Sequence, residues 1–210
     1  MRKKSSIVAS GQSAVFLDKD GTVVDDVPYN VDPEMIRLAS GAREALRTLH
    51  AAGYRLVLIS NQSGVALGYF SESALQGALN RVRELLGDFG VPLTGIYYCP
   101  HRSDGCVPEP AVACECRKPQ PGMILRAAAE LGLDLARSWC VGDILDDVEA
   151  GKRAGCGTIL LNNGHETEWV MSSQRRPDHL ATNLSGAAGI ILATDHPTPL
   201  PKAGKRNVSA

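Results

Sequence analysis

The chain has 210 residues, of which 44% are hydrophobic and 21% are charged, and its formal net charge is −1. These values predict one globular domain with a sizeable core, and the near-neutral charge gives no reason to expect binding to nucleic acid or to a membrane. No apolar run reaches the roughly 18 residues of a spanning helix, and the basic start lacks the apolar stretch of a signal peptide. We therefore expect a cytoplasmic protein, and we expect it to act as a monomer.

Strand and helix patterns alternate along the chain. In chain order, the sequence predicts a strand over 13–18, a helix over 40–53, a strand over 54–61, a helix over 71–90, a strand over 94–99, a helix over 121–132, a strand over 138–143, a helix over 145–155, a strand over 156–161, a strand over 177–184 and a helix over 185–192. This alternation is typical of an α/β fold, a Rossmann-like three-layer sandwich with a mainly parallel sheet.

The domain organisation is simple. Residues 13–194 contain all the predicted elements and show no repeat or linker, so we expect one domain there. Residues 1–12 and residues 195–210, the latter with Pro, Lys and Ser, are predicted to be flexible tails.

Polar motifs follow three predicted strands: "DKDGT", "SNQSG" and "GDILDD". The carboxyl ends of parallel strands lie at one edge of the sheet, where such folds bind ligands. In the first motif, Asp18 can act as a nucleophile that forms an aspartyl-phosphate, and Asp20 can act as general acid and base. An isolated D-x-D-G is equally typical of a polar turn, but the full D-x-D-G-T after an apolar strand is more specific.

Three further residues are compatible with the same chemistry. The Ser60 hydroxyl and the Lys118 ammonium can hold phosphoryl oxygens, although alone they are as typical of a helix cap and of a solvated lysine. Asp143, together with Asp18, offers the few carboxylates that Mg²⁺ prefers. Asp147 lies four residues later and is a candidate outer partner of this site.

The long loop over 99–118 carries a cysteine-rich pattern. Cys99 and His101 form one pair, and Cys114 and Cys116 form another, which together predict a closed tetrahedral zinc site of structural type. The alternatives are a loop of free cysteines or a disulfide. Cys106 has no neighbouring partner and is not predicted to be a ligand.

Taken together, D-x-D-G-T, a strand-end Ser, a Lys and G-D-x-x-x-D resemble the haloacid dehalogenase (HAD) superfamily of phosphohydrolases. This resemblance implies that Asp18 attacks phosphorus and that Asp20 transfers protons. It also implies that Ser60 and Lys118 hold the phosphoryl oxygens, and that Mg²⁺ is bound by Asp18, the backbone carbonyl of Asp20, and Asp143.

The cysteine loop, continued by "CRKPQPGM", and the stretch "SNQSGVALGYFSE" resemble one branch of that superfamily. The branch contains the D-glycero-D-manno-heptose 1,7-bisphosphate 7-phosphatases and the histidinol-phosphate phosphatases. It implies that Asn61 and Arg117 contact substrate. Some relatives have a lysine directly after the metal-binding aspartate, where this chain has Ile144, which affects the expected substrate more than the core chemistry.

Spacing between the motifs leaves no room for a separate cap domain. We therefore expect a capless enzyme whose rim is formed by the zinc loop and by residues 23–33, which we call the flap. The leading hypothesis is a Mg²⁺-dependent phosphatase acting on a small-molecule sugar bisphosphate. The alternatives are a histidinol-phosphate phosphatase and an inactive, zinc-stabilised binding module. Other histidines are interpreted as surface or packing residues: His50, His165, His179 and His196.

Overall fold

A computed structural model describes residues 11–195 of the chain, and most of the two predicted tails lies outside these residues. The strands are β1 (Ala14–Leu17), β2 (Arg55–Asn61), β3 (Gly95–Cys99), β4 (Trp139–Gly142), β5 (Gly157–Leu161) and β6 (His179–Ala181). The α-helices are α1 (Ala42–Ala51), α2 (Glu72–Gly87), α3 (Gly122–Leu131), α4 (Leu145–Ala154) and α5 (Leu184–Asp195). Every predicted strand and helix is present, with boundaries that differ by at most three residues.

The six strands form one parallel sheet in the order β3-β2-β1-β4-β5-β6. The chain first builds outward from β1 through β2 to β3, and then returns to the other side of β1 with β4. The strand order therefore reverses between β1 and β4, and folds of this type bind ligands at the carboxyl ends of strands at such a point. The predicted α/β three-layer architecture is confirmed.

The core has two halves, one on each face of the sheet. Val15 and Leu17 of β1 belong to the half that packs under α1, α2 and α5. Ala14 and Phe16 point the other way and pack with residues of α3 and α4. Because helices cover both faces, all four residues of β1 are buried, which explains why this strand is a continuous apolar run.

Helix ends follow local chemistry that the sequence carries. The Ser71 hydroxyl accepts a hydrogen bond from the backbone N–H of Ala74 at the start of α2, over 3.2 Å. Two short 3-10 helices, Pro33–Met35 and Leu135–Arg137, were not among the predicted elements. Each follows an aspartate whose carboxylate caps its first turn. Apolar periodicity does not reveal these short helices, because a capping aspartate is not part of that pattern.

The connections between the strands contain no inserted domain within residues 11–195, so the predicted capless arrangement is confirmed. The last residues before β1 join the fold, since Gln12 bridges Leu133 after α3. No helix in the described part of the chain is long and apolar enough to cross a membrane.

Candidate active site

Three adjacent strands deliver the polar motifs to one edge of the sheet. Asp18 directly follows β1, Ser60 and Asn61 end β2, and Asp143 directly follows β4. Since β1 lies between β2 and β4, these residues meet where the strand order reverses. The backbone N–H of Asp18 donates to the carbonyl oxygen of Val141 in β4 over 3.0 Å, which fixes the two strand ends against each other.

Asp18, Asp143 and Asp147 form a compact group with Lys118, which we call the carboxylate cluster. One carboxylate oxygen from each aspartate lies within 4.8 Å of those of the other two, and all three residues are buried. Lys118 is also buried, and its Nζ forms ion pairs with Asp18 and, at 2.5 Å, with Asp147 Oδ1. A side chain from the loop before α3 therefore links two carboxylates that the sheet and α4 hold in place.

The carboxylate cluster is short of positive charge. Burial, followed by the negative charge of Asp18, raises the pKa of Asp143 to about 8. Burial also raises the pKa of Asp147 to about 8, against the opposing charge of Lys118. Ionisation of all three buried carboxylates beside one ammonium would leave excess negative charge, which a bound cation would offset, and carboxylate oxygens are the ligands that Mg²⁺ prefers. The residues present therefore fit a divalent cation at Asp18 and Asp143.

Lys118 keeps its charge in this surrounding. Burial disfavours the charged ammonium, but the negative charges of Asp147 and Asp18 outweigh that cost and raise the pKa of Lys118 above its ordinary value. Lys118 therefore presents a fixed positive charge directly beside Asp18. Such a charge can neutralise the oxygens of a phosphoryl group that approaches the carboxylate.

Asp20 is held between two neighbours. Its Oδ1 accepts from Lys19 Nζ at 2.6 Å, and its Oδ2 accepts from Gln62 Nε2 at 3.1 Å. The same Gln62 nitrogen donates to Ser60 Oγ at 2.8 Å, so it connects the first motif with the second. Burial raises the pKa of Asp20 despite the opposing charge of Lys19. A carboxyl group with a raised pKa is better suited to donate a proton near neutral pH.

Asn61 contacts the backbone of Lys118 through both ends of its amide. Its Oδ1 accepts from the Lys118 N–H at 2.9 Å, and its Nδ2 donates to the Lys118 carbonyl at 3.1 Å. This pair of hydrogen bonds fixes the lysine against β2. The substrate contact predicted for Asn61 stays a prediction, because both polar atoms of the side chain have partners in the protein.

The predicted zinc ligands lie together in a second group, the thiol cluster, composed of Cys99, His101, Cys114 and Cys116. The three sulfurs are separated by 3.1, 3.1 and 3.5 Å, and His101 Nδ1 lies 3.2 Å from Cys116 Sγ. Zn–S bonds of about 2.3 Å in a tetrahedron place sulfurs slightly under 4 Å apart, and the sulfurs lie somewhat closer together than this. Three thiols and one imidazole gathered at one point are nevertheless a ligand set that fits zinc. Cys106 is exposed and lies outside this group, with its Sγ 3.1 Å from the Leu67 carbonyl.

Arg117 connects the two clusters. Its backbone N–H donates to Cys114 Sγ at 3.4 Å, and its guanidinium reaches the His101 carbonyl at 3.5 Å. Lys118 is the next residue, so the thiol cluster determines where the lysine enters the carboxylate cluster. Arg117 is partly buried, and the substrate contact predicted for it from the sequence stays a prediction.

His165, interpreted from the sequence as a surface or packing residue, is about a third exposed but also contacts the carboxylate cluster, which the sequence interpretation missed. Its Nδ1 lies 2.6 Å from Asp143 Oδ2 in the carboxylate cluster. Gln62 was also missed, although it lies next to Asn61 in a motif already singled out. His165 follows β5, and β5 is parallel to β4 and adjacent to it. Applying the strand-end rule to β5 as well would have pointed to this histidine.

The flap closes one side of the site. A cavity of about 110 Å³ lies between the flap and the turn after β2, and Asp20, Tyr29 and Gln62 are among its lining residues. Tyr29 of the flap packs edge-to-face on Tyr69 with ring centroids 4.7 Å apart, and both rings are largely exposed. A larger cavity, about 540 Å³, lies at the opposite edge of the sheet beside Gly11 and Arg137, away from all of these groups.

Comparison with known proteins identifies the family. The family model described as HAD-hydrolase-like matches residues 115–187. The chain is 41% identical over 169 residues to the D-glycero-beta-D-manno-heptose-1,7-bisphosphate 7-phosphatase of Yersinia pestis, which covers 76% of this chain and 90% of the relative. The chain belongs to the HAD-like hydrolases. Within them, the enzyme of the same name from Pasteurella multocida is 45% identical over 73% of this chain and 83% of that protein.

Solved structures of HAD-like proteins have the same fold. A HAD-like phosphatase from Mesorhizobium loti superposes with a TM-score of 0.76 at 38% identity, over 88% of this chain and 86% of that one. The D,D-heptose 1,7-bisphosphate phosphatase from B. bronchiseptica superposes with a TM-score of 0.70 at 29% identity, over 87% and 99% of the two chains. That HAD enzyme was solved in complex with magnesium and phosphate.

Proposed function

We propose that the protein is a Mg²⁺-dependent phosphatase that removes the 7-phosphate of D-glycero-D-manno-heptose 1,7-bisphosphate through a phosphorylated Asp18. The observation that carries the reaction class is the ion pair of Lys118 with Asp18, set beside the buried carboxylates of Asp143 and Asp147. Phosphoryl transfer to a carboxylate needs a nucleophile, a fixed positive charge and ligands for a divalent cation.

The first step transfers the phosphoryl group to the chain. An Asp18 oxygen attacks phosphorus and the P–O bond to the sugar breaks, while Asp20 gives a proton to the leaving sugar oxygen. The raised pKa of Asp20 supports this acid role. Ser60 and Lys118 hold the phosphoryl oxygens. Gln62 donates to both Ser60 and Asp20 and so fixes their relative positions.

The second step releases phosphate. Asp20, now ionised, takes a proton from a water molecule, and the water oxygen attacks phosphorus as the bond to Asp18 breaks. The products are inorganic phosphate and the free Asp18 carboxylate, and Asp20 is again protonated. One residue thus serves first as acid and then as base, so the cycle returns every proton to its starting place.

Two metals complete the proposal. Magnesium, held by Asp18, the Asp20 carbonyl and Asp143, supplies positive charge that offsets repulsion between carboxylates and phosphate. Zinc, held by the thiol cluster, is structural, because four protein ligands leave no open position. Its predicted role is to fix the loop that carries Arg117 and Lys118.

The substrate is proposed from the relatives and from the open rim. The relatives named as heptose bisphosphate phosphatases align with roughly three quarters of this chain. The absence of an inserted cap between residues 11 and 195 leaves the site accessible to a small sugar phosphate. The Arg117 guanidinium at the rim suits a second phosphate, because its planar fork can bind phosphate oxygens in pairs.

The test is a substrate panel with Mg²⁺: both anomers of the heptose 1,7-bisphosphate, histidinol phosphate and other sugar bisphosphates. We expect kcat/KM for one heptose anomer to exceed that for histidinol phosphate by at least about 100-fold, a difference of about 2.7 kcal/mol in transition-state binding. ³¹P NMR of the product should retain the 1-phosphate. Preferred turnover of histidinol phosphate, or loss of the 1-phosphate, would contradict the proposed substrate. No phosphate release from any ester would favour a binding module.

We also propose a cytoplasmic location and a monomeric state. All six cysteines lie within the described residues and none forms a disulfide, a state that a reducing compartment preserves. Every side chain invoked in the reaction comes from one chain, so a monomer suffices. Light scattering at assay concentration should give the mass of one chain, and a larger mass would contradict the monomer.

A further inference from the structure

The segment that follows β5 places three side chains against the carboxylate cluster and the backbone next to it. These side chains belong to Asn163, His165 and Glu166. Asn163 Nδ2 donates to the carbonyl oxygen of Gly21 at 2.8 Å, His165 contacts Asp143, and Glu166 contacts the start of α4. Three residues within four positions of one loop therefore touch the D-x-D-G-T turn, the residue after β4, and the helix that carries Asp147.

His165 contacts one of the two oxygens of the Asp143 carboxylate. The distance from its Nδ1 to Oδ2 is 2.6 Å. When Asp143 is ionised, as it must be to bind a cation, its carboxylate only accepts hydrogen bonds, so Nδ1 is then the donor, in either the matching neutral tautomer or the imidazolium. The imidazole is about a third exposed, whereas the Asp143 side chain is 6% exposed. The histidine thus contacts Oδ2 of a buried carboxylate from the solvent side.

Gly21 provides the surface against which this pair packs. A Cβ built at Gly21 would lie 1.9 Å from Asp143 Oδ2 and 2.4 Å from His165 Nδ1. The backbone of the first motif is therefore in direct contact with both partners, and only a glycine leaves room for them. The Asn163 hydrogen bond to the Gly21 carbonyl fixes the same turn from the β5 side.

Glu166 fixes the other side of His165. Helix α4 begins at Leu145, and the preceding residue, Ile144, has no side-chain acceptor for the free N–H groups of the first turn. Glu166 Oε2 accepts from the Leu145 N–H at 2.6 Å and supplies that acceptor from a distant part of the chain. With Asn163 and Glu166 both anchored, the backbone between them has little freedom to move His165 away from Asp143.

We propose that His165 is a positioning residue for the magnesium site: its Nδ1–H holds Asp143 Oδ2 so that the other oxygen faces the cation. The inference rests on the magnesium site of the proposed function. Hydrogen bonds to metal-binding carboxylates set their orientation, and removing the outer partner typically weakens metal affinity by about 10- to 100-fold.

The test is calorimetric titration of the metal-free protein with Mg²⁺ alone, without substrate, at one fixed pH. We expect the dissociation constant of His165→Ala to rise by about tenfold. His165→Asn should stay within about threefold of wild type, because the asparagine Nδ2 stands at the same distance along the side chain as the histidine Nδ1. His165→Gln, whose amide lies one bond further out, should behave like His165→Ala. His50→Ala, on the exposed side of α1, is the matched control and should leave the constant unchanged.

Three outcomes would overturn the proposal. The first is an unchanged dissociation constant for Mg²⁺ in His165→Ala. The second is tighter Mg²⁺ binding in that variant, which would mean that His165 competes with the cation. The third is equal weakening of Mg²⁺ binding in His165→Asn and His165→Ala. The stabilisation by Mg²⁺ in a thermal melt is the second measurement. It should shrink in His165→Ala while the melting temperature without metal changes little, which separates positioning from general destabilisation. Because no substrate is used, a wrong substrate assignment leaves this result intact, and a negative result leaves the substrate panel intact.

Discussion

The carboxylate cluster and the thiol cluster are assembled in opposite ways. The carboxylate cluster takes its residues from positions 18, 118, 143 and 147, which the ends of two adjacent strands, a helix and a loop bring together. The thiol cluster takes all four of its residues from positions 99–116, and only Cys99 belongs to a strand. The sheet positions the carboxylate cluster, whereas the thiol cluster lies in a local loop that needs another source of stability.

This difference indicates what each metal contributes. At the sheet edge the protein fixes buried charges in advance, so the geometry exists before a cation or substrate arrives and serves the reaction. In the loop, the proposed zinc would supply the order that regular structure does not, as in other sites with four protein ligands. Arg117 and Lys118 directly follow Cys116, so we expect a change in the thiol cluster to reach the carboxylate cluster through them.

The largest expected effect comes from Asp18→Asn. Removing the nucleophile should lower kcat for the preferred ester by at least about 10³-fold. The fold should persist, because the substitution relieves repulsion among the buried carboxylates. Steady-state phosphate release and thermal melts measure the two quantities. Asp88→Asn, an exposed change at the end of α2, is the control. Near-normal turnover of Asp18→Asn in Mg²⁺ would contradict the assigned nucleophile.

Gly21→Ala should displace Asp143 from the carboxylate cluster through a steric clash, without changing any charge. Gly21 has φ +74°, and an added Cβ would overlap Asp143 Oδ2. We expect destabilisation by about 1–3 kcal/mol and a loss of about 100-fold in kcat/KM.

Gly77→Ala is the matched control, because a Cβ there meets no heavy atom within 4 Å and the residue lies inside α2. It should increase the free energy of unfolding by about 1 kcal/mol and leave activity unchanged. Equal effects of the two substitutions would show that the close packing at Gly21 is unimportant.

Cys114→Ser should act on the thiol cluster and reach the reaction only indirectly. Metal analysis of the wild type should give one zinc per chain, and the variant should give none. We expect kcat to fall by about tenfold, because Lys118 loses its fixed entry, and the melting temperature to fall by about 5 °C. Cys106→Ser removes an exposed thiol outside the cluster and should keep zinc and activity. A zinc-free wild type with full activity would disprove this coupling.

A smaller effect is expected in the pH dependence of stability without Mg²⁺. The pKa of Asp143 and that of Asp147 are about 8 in the fold and 3.8 in ordinary surroundings. Between these values the folded protein binds more protons than the unfolded chain, so the free energy of unfolding falls as pH rises from about 4 to about 8. The melting temperature of metal-free protein should therefore decrease over this range by several degrees.

Mg²⁺ should remove much of that decrease, with its largest stabilisation at the alkaline end. Asp143→Asn is the informative variant, because the melting temperature of this variant should depend less on pH even without metal. A stability that rises with pH in the metal-free wild type, or a slope unchanged in Asp143→Asn, would contradict the electrostatic description of the cluster.

Much of this could be predicted from the sequence. Strand-end polar motifs pointed to residues that the parallel sheet brings together, and two C-x-C or C-x-H pairs pointed to a local cluster. Periodicity located the helices because their buried faces repeat regularly, as with Ala42, Leu46 and Leu49 of α1. Contacts between segments that are distant in the sequence were harder to predict, since neither segment alone indicates its partner.

His165 and Asn61 illustrate that limit. His165 lies 22 residues from Asp143, and nothing in "NNGHE" specifies its partner without the order of the strands. Asn61 was located correctly beside the site, but its two hydrogen bonds to the Lys118 backbone span 57 residues and emerge only in the fold. The tertiary arrangement, rather than residue type, determines which neighbour a polar side chain finds.

The most direct test of the central claim is mass spectrometry of enzyme quenched in acid during turnover of its preferred phosphate ester with Mg²⁺. A phosphorylated Asp18 should appear in the peptide that contains β1, and it should disappear once substrate is consumed. In Asp20→Asn the phosphorylated Asp18 should form more slowly, because the acid for the first step is lost, and should also decay more slowly once formed, because the base for the second step is lost. Turnover without a phosphorylated carboxylate at any time point, or with the phosphoryl group on another residue, would contradict the account.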